Sequence, residues 1–271
     1  MAIIAQLSDI HLTAGHDGAV DDDSGPVRAL RAAVASLLAL PARPDAVVLT
    51  GDLADGGLPG EYARLHALLS PLPMAVYPMP GNHDDRDALR EAFKDHPPVW
   101  ATGTRPDAPI QYAVDVNGVR LVCCDTKVEG RPHGSMDAER LAWLDETLAA
   151  APDVPTVVAT HHPPYQIGIR FIDDMRFTQP ETFGEVLSRH PQVVRVMSGH
   201  VHRGSVGSLG RTVCTTCPST YRQLFLDLTR PGRAAVTGEP AGFAVHLVDE
   251  SGSATTHFVP TGSYRPLMDV E

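Results

Sequence analysis

With 271 residues, 43% of them hydrophobic and 20% charged, the chain is long enough to bury a sizeable core, and its ordinary composition excludes long disorder. A net charge of −11, with no Lys/Arg cluster to follow a phosphate backbone, excludes a polynucleotide as the expected partner. No stretch reaches the roughly 20 apolar residues that cross a bilayer, and the start MAIIAQLSDIH lacks the basic residues and cleavage site of a secretory signal, so no membrane partner and a cytoplasmic location are expected.

In chain order, three apolar, β-branched runs come first, Ala2 to Leu7, Asp45 to Thr50 and Met74 to Met79, and each ends in a polar cluster. Between the first two, Ser24 is placed to cap a helix carrying Val27, Leu30, Val34, Leu37 and Leu38 at helical spacing. Tyr62, Leu65, Leu68 and Leu69 predict a second helix before the third run. Strands alternating with helices predict parallel crossovers, with functional residues at the carboxyl ends of the strands.

From Ile110 to Thr126, two alternating runs flank Asn117-Gly118, a hairpin signal that makes the sheet arrangement mixed. A helix from Asp137 to Ala149 is followed by a strand Thr156 to Thr160 ending in His161-His162-Pro163-Pro164. A helix starting near Pro180 precedes a strand Val193 to Met197 that ends in Ser198-Gly199-His200-Val201-His202. After Gly204 the chain reads as short strands and turns, closing with a hairpin of Ala244 to Val248 and Thr255 to Val259. A single domain over residues 1–271 is expected, with 204–271 a strand-rich part in which Pro218 to Pro240 could be a flap or a subunit contact. Cys123 and Cys124 sit in an apolar run, and Cys214 and Cys217 form an isolated CxxC. With no second pair to complete a zinc site, packing is the expected role of all four.

Five strand ends thus deliver Asp9 and His11, Gly51-Asp52, Gly81-Asn82-His83-Asp84, His161 with His162, and Gly199-His200-Val201-His202. Each is a weak signal alone, since a lone His or a Gly-Asp turn is common in loops. Together they collect oxygen and imidazole donors at one edge of a sheet, a donor set suited to Mn, Fe or Zn. Spacing does not decide whether His161 or His162 is the ligand.

DxH, GD, GNHD, H and GHxH in this order resemble the signature of the calcineurin-like metallophosphoesterases over roughly residues 3–203. The strings SDIH, PDAVVLTGD, PGNHDD, HHPP and SGHVH look most like the bacterial glycerophosphodiesterase and class III cyclic-nucleotide phosphodiesterase branch. The resemblance implies an α/β fold, a four-layer α/β/β/α sandwich of two mixed sheets flanked by helices. It also implies two divalent metal ions per chain (Mn, Fe or Zn), one held by Asp9, His11 and His202 and the other by Asn82, His161 and His200. Asp52 would bridge them, and His161 rather than His162 is the ligand in that pattern. His83 is implied to be a catalytic group outside the metal shell, while His162 and Asp84 support the site. Two ions at +4 against two aspartates leave about +2, enough to bind a monoanionic diester and stabilise a bridging hydroxide as nucleophile.

The expected function is therefore a binuclear metal-dependent phosphodiesterase acting on small diesters, cyclic nucleotides or glycerophosphodiesters. A broad phosphomonoesterase of the same superfamily and a catalytically silent metal-binding scaffold are the alternatives. The chain has Asp55 where purple acid phosphatases place a Tyr ligand, and GDLADGG where phosphoprotein phosphatases carry an Arg, which argues against monoester specialisation. Tyr165, Arg170 and Arg222 are candidate substrate contacts. The remaining histidines, His16, His66, His96, His133, His190, His246 and His257, fall in no ligand pattern. Oligomeric state stays open, a homo-oligomer (dimer or higher) included.

Overall fold

The computed structural model describes residues 1–95, 108–264 and 267–268. Its first sheet is built from β1 (Ala2–Leu7), β2 (Ala46–Thr50) and β3 (Ala75–Met79), which run parallel. The second holds β4 (Tyr112–Val116), β5 (Val119–Cys124), β6 (Thr156–Thr160), β7 (Val193–Ser198), β8 (Ser205–Leu209) and β9 (Thr212–Thr216) in the order β4-β5-β6-β7-β9-β8. A short ribbon of β10 (Gln223–Leu224) and β11 (Val236–Thr237) belongs to neither sheet. The closing hairpin, β12 (Gly242–Val248) and β13 (Ala254–Pro260), completes the first sheet as β13-β12-β1-β2-β3, with β12 antiparallel to β1. Both sheets are mixed.

Helices α1 (Gly25–Leu38), α2 (Pro59–Leu69) and α3 (Arg86–Ala92) flank the first sheet, and α4 (Ala138–Ala149) and α6 (Pro180–Ser188) the second, while the single turn α5 (Arg170–Asp173) lies in the loop after β6. In α1 the buried residues Val27, Leu30, Ala33, Val34 and Leu37 recur at the spacing that puts one stripe against a sheet. Ser24 does occupy the cap position, but its side chain makes no capping bond, and Pro26 in the first turn removes a donor that would need one. Asp85 and Asp137 cap α3 and α4 by accepting from Ala88 N and Arg140 N at 2.8 and 2.9 Å.

Because strand side chains alternate, each strand of the second sheet serves two cores. Leu121, Cys123, Val157, Ala159 and Met197 face the first sheet, whereas Val122, Cys124, Val158 and Val196 face Leu144, Phe183 and Leu187 of α4 and α6. Cys123 and Cys124 thus lie in different layers, and all four cysteines are buried free thiols. The predicted hairpin turn is made by Asn117 and Gly118 with φ of 47° and 81°, the two positive angles of a type I′ turn. No helix among the described residues is long and apolar enough to cross a membrane.

Candidate metal centre

The two sheets meet at one end. Gln6 on β1 donates to Thr50 Oγ1 of its own sheet and to Ser198 O of the other, at 2.8 and 2.9 Å. Past the ends of β1 and β2 the chain stays paired, with His11 N donating to Asp52 O (2.9 Å) and Leu12 N to Leu53 O (3.1 Å). The loops after β6 and β7 are joined by Gly199 N donating to His161 O at 2.9 Å. Among the described residues, seven other than glycine have positive φ, and five of them are Asp9, His11, Asp52, His200 and His202. Such backbones cost about 1–3 kcal/mol each and persist where the surroundings fix them, which is typical of functional loops. Gly81 is required by closeness: a Cβ there would lie 2.2 Å from Asp52 Oδ1 and 2.4 Å from its backbone nitrogen.

Side chains from both sheets converge here. Ligand-capable atoms of Asp9, His11, Asp52 and His202 lie within 4.8 Å of one another. Asp52 stands between two groups, with Oδ2 3.6 Å from His11 Nε2 and Oδ1 3.4 Å from His161 Nε2. On the first side His202 Nε2 is 3.4 Å from Asp9 Oδ1 and 3.0 Å from His11 Nε2. On the second, Asn82 Oδ1 is 3.2 Å from His161 Nε2, and the His200 ring lies 5.2 Å from that of His161.

The hydrogen bonds separate His161 from His162. His161 donates through Nδ1 to Thr50 O at 2.7 Å, leaving Nε2 to face Asp52 and Asn82. His162 also brings a ring nitrogen within 4.8 Å of ligand-capable atoms of His161 and His200, but both its nitrogens are already engaged, Nδ1 with Thr126 Oγ1 at 2.8 Å and Nε2 with Pro132 O at 3.1 Å. His11 and His202 resemble His161, their Nδ1 atoms bonded to Asp55 Oδ1 (3.0 Å) and Arg222 O (2.9 Å). A partner on Nδ1 fixes the tautomer whose Nε2 carries a lone pair. If both rings were neutral in that tautomer, His11 and His202 would bring two lone pairs within 3.0 Å, so a proton or a cation has to lie between them. His200 Nε2 is buried with no hydrogen-bond partner, an arrangement that is costly unless something else binds there. Facing lone pairs, an orphaned imidazole nitrogen and two buried carboxylates fit a pair of divalent cations.

Charge in the cluster follows the same division. Burial works against the His11 cation, but Asp55, Asp52 and Asp9 outweigh it and raise its pKa to about 8. His161 is likewise raised, to about 9, by Asp52 against the effect of burial. Asp52 is held well below the usual carboxylate range because His161 and His11 overcome its desolvation. His200 is pushed down to about 3 by burial and by the charge of His161, and burial also lowers His202. Without cations, protons on His11 and His161 neutralise the carboxylates.

His83 is exposed and lies edge-on to His11, with ring centroids 4.8 Å apart. Its backbone N donates to Asp52 Oδ1 (3.0 Å) and its Nδ1 to Asp55 O (2.9 Å). Asp84 points inward instead, accepting from Leu53 N, Ala54 N, Gly81 N and the Tyr62 hydroxyl, and so clamps two ligand loops together. The candidate substrate contacts separate. Tyr165 is buried in the second core with its hydroxyl on Ser205 Oγ (2.8 Å), and Arg170 is exposed at the start of α5. Arg222 alone of the three lines the cleft beside His11 and His202. Of the other histidines, His190 pairs with Asp145 (2.6 Å) and His246 is buried against Gln6 and Thr256, while His96 lies outside the described residues. Sequence reasoning missed Asp55 as the partner of His11 and Ser219, whose hydroxyl donates to Asp9 O at 2.7 Å. A carboxylate three residues beyond Asp52 was a signal for Asp55, and nothing local marked Ser219.

The sequence pattern of the calcineurin-like phosphoesterases matches residues 3–204. The chain is 34% identical to a cAMP/cGMP dual specificity phosphodiesterase of Mycobacterium tuberculosis over 235 residues, 84% of this chain and 69% of that one. It is 30% identical to a glycerophosphodiester phosphodiesterase of Enterobacter lignolyticus over 225 residues, 82% of this chain and 78% of that one. Among solved structures, a dimetal phosphatase from Danio rerio has a similar fold, with a TM-score of 0.67 at 16% identity, covering 96% of each chain.

Proposed function

Given that the chain belongs to the calcineurin-like phosphoesterase family, we propose that it hydrolyses small phosphodiesters at a two-cation centre held by Asp9, His11 and His202 on one side and Asn82, His161 and His200 on the other, with Asp52 shared. The observation that carries this reading is the position of Asp52, one carboxylate oxygen toward each histidine group, beside the partnerless Nε2 of His200. When bound, two divalent cations of the Mn, Fe or Zn type supply Lewis acidity toward phosphoryl oxygens and lower the pKa of water.

The chain's own residues do the rest. Thr50 O, Asp55 and Arg222 O fix the rings of His161, His11 and His202, so the ligand atoms are held before any substrate arrives. His83, anchored through Nδ1 to Asp55 O, leaves Nε2 free toward the substrate, and in its imidazolium form that nitrogen would give its proton to the departing alkoxide. Preference for diesters is supported by the similar proteins named as phosphodiesterases and by Leu53-Ala54-Asp55 after Asp52, a stretch with no Arg to grip a phosphate dianion. In the test, protein reconstituted with Mn, Fe or Zn should hydrolyse a bis-aryl phosphate faster than the mono-aryl ester, and Asp52→Ala or Asn82→Ala should lose nearly all turnover. Undiminished hydrolysis by Asp52→Ala would refute the assignment.

A further inference from the structure

A cleft of about 270 Å³ opens directly beside His11 and His202, walled by Pro26, Tyr221, Arg222, Leu224 and Val236. We propose that this cleft is a subsite for a planar aromatic group on the diester, so that Tyr221 and Arg222 select nucleoside phosphodiesters over glycerophosphodiesters. The proposal rests on the phosphodiesterase reading above and adds to it the part of the substrate that lies beyond the phosphate.

The wall is built, not incidental. Ser219 Oγ accepts from Tyr221 N (2.9 Å) and Arg222 N (3.1 Å) while donating to the carbonyl of Asp9. Arg222 O holds the ring of His202, and Leu224 N donates to His202 O at 3.1 Å. Both residues are therefore tied through their backbone to loops that carry Asp9 and His202. Leu224 and Val236 are cross-strand partners in the β10–β11 ribbon, which sets two aliphatic side chains on the same cleft. The Tyr221 hydroxyl edge rests against the backbone at Gly25, and the Arg222 guanidinium lies over the ring, 4.5 Å from its centroid, with Nη2 donating to the hydroxyl at 2.8 Å.

Chemistry decides between the two kinds of substituent. The Thr13 hydroxyl donates to His11 O and Asp55 Oδ1 accepts from His11 Nδ1, so polar groups at the mouth already have partners on the ligand loop. A polyol would meet chiefly the second Asp55 oxygen and the outer Arg222 N–H groups, at the rim of the cleft. The cleft offers instead aliphatic surface, an aromatic ring and an exposed guanidinium plane, surfaces on which planar bases stack. Arg suits this where Lys does not, because its delocalised plane stacks while an ammonium does not.

The experiment compares equilibrium binding of 5′-AMP and glycerol 3-phosphate to the full metal-loaded chain, and kcat/KM for 3′,5′-cyclic AMP and glycerophosphoethanolamine. Wild type should favour the adenosine compound in both measurements. Tyr221→Ala and Arg222→Lys should each reduce that selectivity about tenfold, and Tyr221→Phe should hold it within about threefold. Equal binding of the two monoesters by wild type, or an equal loss on both by Tyr221→Ala, overturns the subsite. If the loaded wild type hydrolyses neither diester yet prefers 5′-AMP, the hydrolytic reading falls while the subsite stands. Hydrolysis of both diesters without that preference removes the subsite and leaves the hydrolytic reading intact.

Discussion

Loading the centre should release protons, and the number can be worked from the site. His11 and His161 are raised to about 8 and about 9 by the carboxylates around them, so at pH 7 both are mostly cationic in the metal-free protein. A ligand imidazole must give up its proton to bind a metal, so filling both halves should release close to two protons from these rings at pH 7, with up to one more from a water that ionises on the cations. Apparent affinity for each cation should then fall by ~10-fold for each pH unit below about 7, and the constant for binding both by ~100-fold. Calorimetric titration of Mn²⁺ or Zn²⁺ in two buffers of different ionisation enthalpy counts the protons directly. The opposite sign applies to the metal-free fold: since both folded pKa values lie above the ordinary 6.5, their stabilisation is full below pH 6.5 and is lost as pH rises through about 8 to 9. The thermal stabilisation gained on adding metal should consequently grow with pH over that window. Release of fewer than about one proton at pH 7 would refute the claim that carboxylate charge keeps these two imidazoles protonated.

Two further outcomes follow from single contacts. Asp55→Ala removes the partner of His11 Nδ1 but keeps the backbone carbonyl that holds His83; metal affinity or kcat should drop roughly 10–100-fold, and a change under about twofold would show that the His11 ring needs no carboxylate. His246 is buried beside Gln6 and near Arg195, and burial pushes its pKa down to about 3. Below pH 6.5 the unfolded chain takes up a proton that the folded chain refuses, so stability falls with pH, by about 2 kcal/mol from this residue at pH 5. Urea unfolding of wild type and His246→Gln from pH 7 to 5 should show the variant's shallower slope; parallel curves would contradict it.

Much of this architecture is legible in the sequence because its signals are local. Thr156 to Thr160 is a strand at the predicted residues, and Asn117-Gly118 makes the predicted turn, since β-branched runs and positive-φ turns are properties of neighbours along the chain. The cluster was legible for a related reason: a parallel sheet delivers its strand ends to one edge, and Asp9, Asp52 and His200 each follow a strand directly. What escaped depends on contacts far apart in sequence. Spacing leaves His161 and His162 equivalent, and Thr126 and Pro132 tell them apart through bonds that reach back 36 and 30 residues from His162. Asp55 and Ser219 act on ligands that approach them only after the loops fold together. Tyr165 lies in the loop after β6, and the bond of its hydroxyl to Ser205 on β8, 40 residues further on, is another contact that local signals do not carry.

The meeting of the two sheets at this end also constrains how the protein can be made. His11 and His202 face each other across 191 residues of chain, and each proposed half of the centre draws on both sheets. A ribosome must therefore deliver the loop after β7 before either half can exist, and no chain that stops short of that loop can hold the proposed pair of cations. The same separation makes bound metal a clasp over a very long loop, the kind of closure that most reduces the freedom of an unfolded chain.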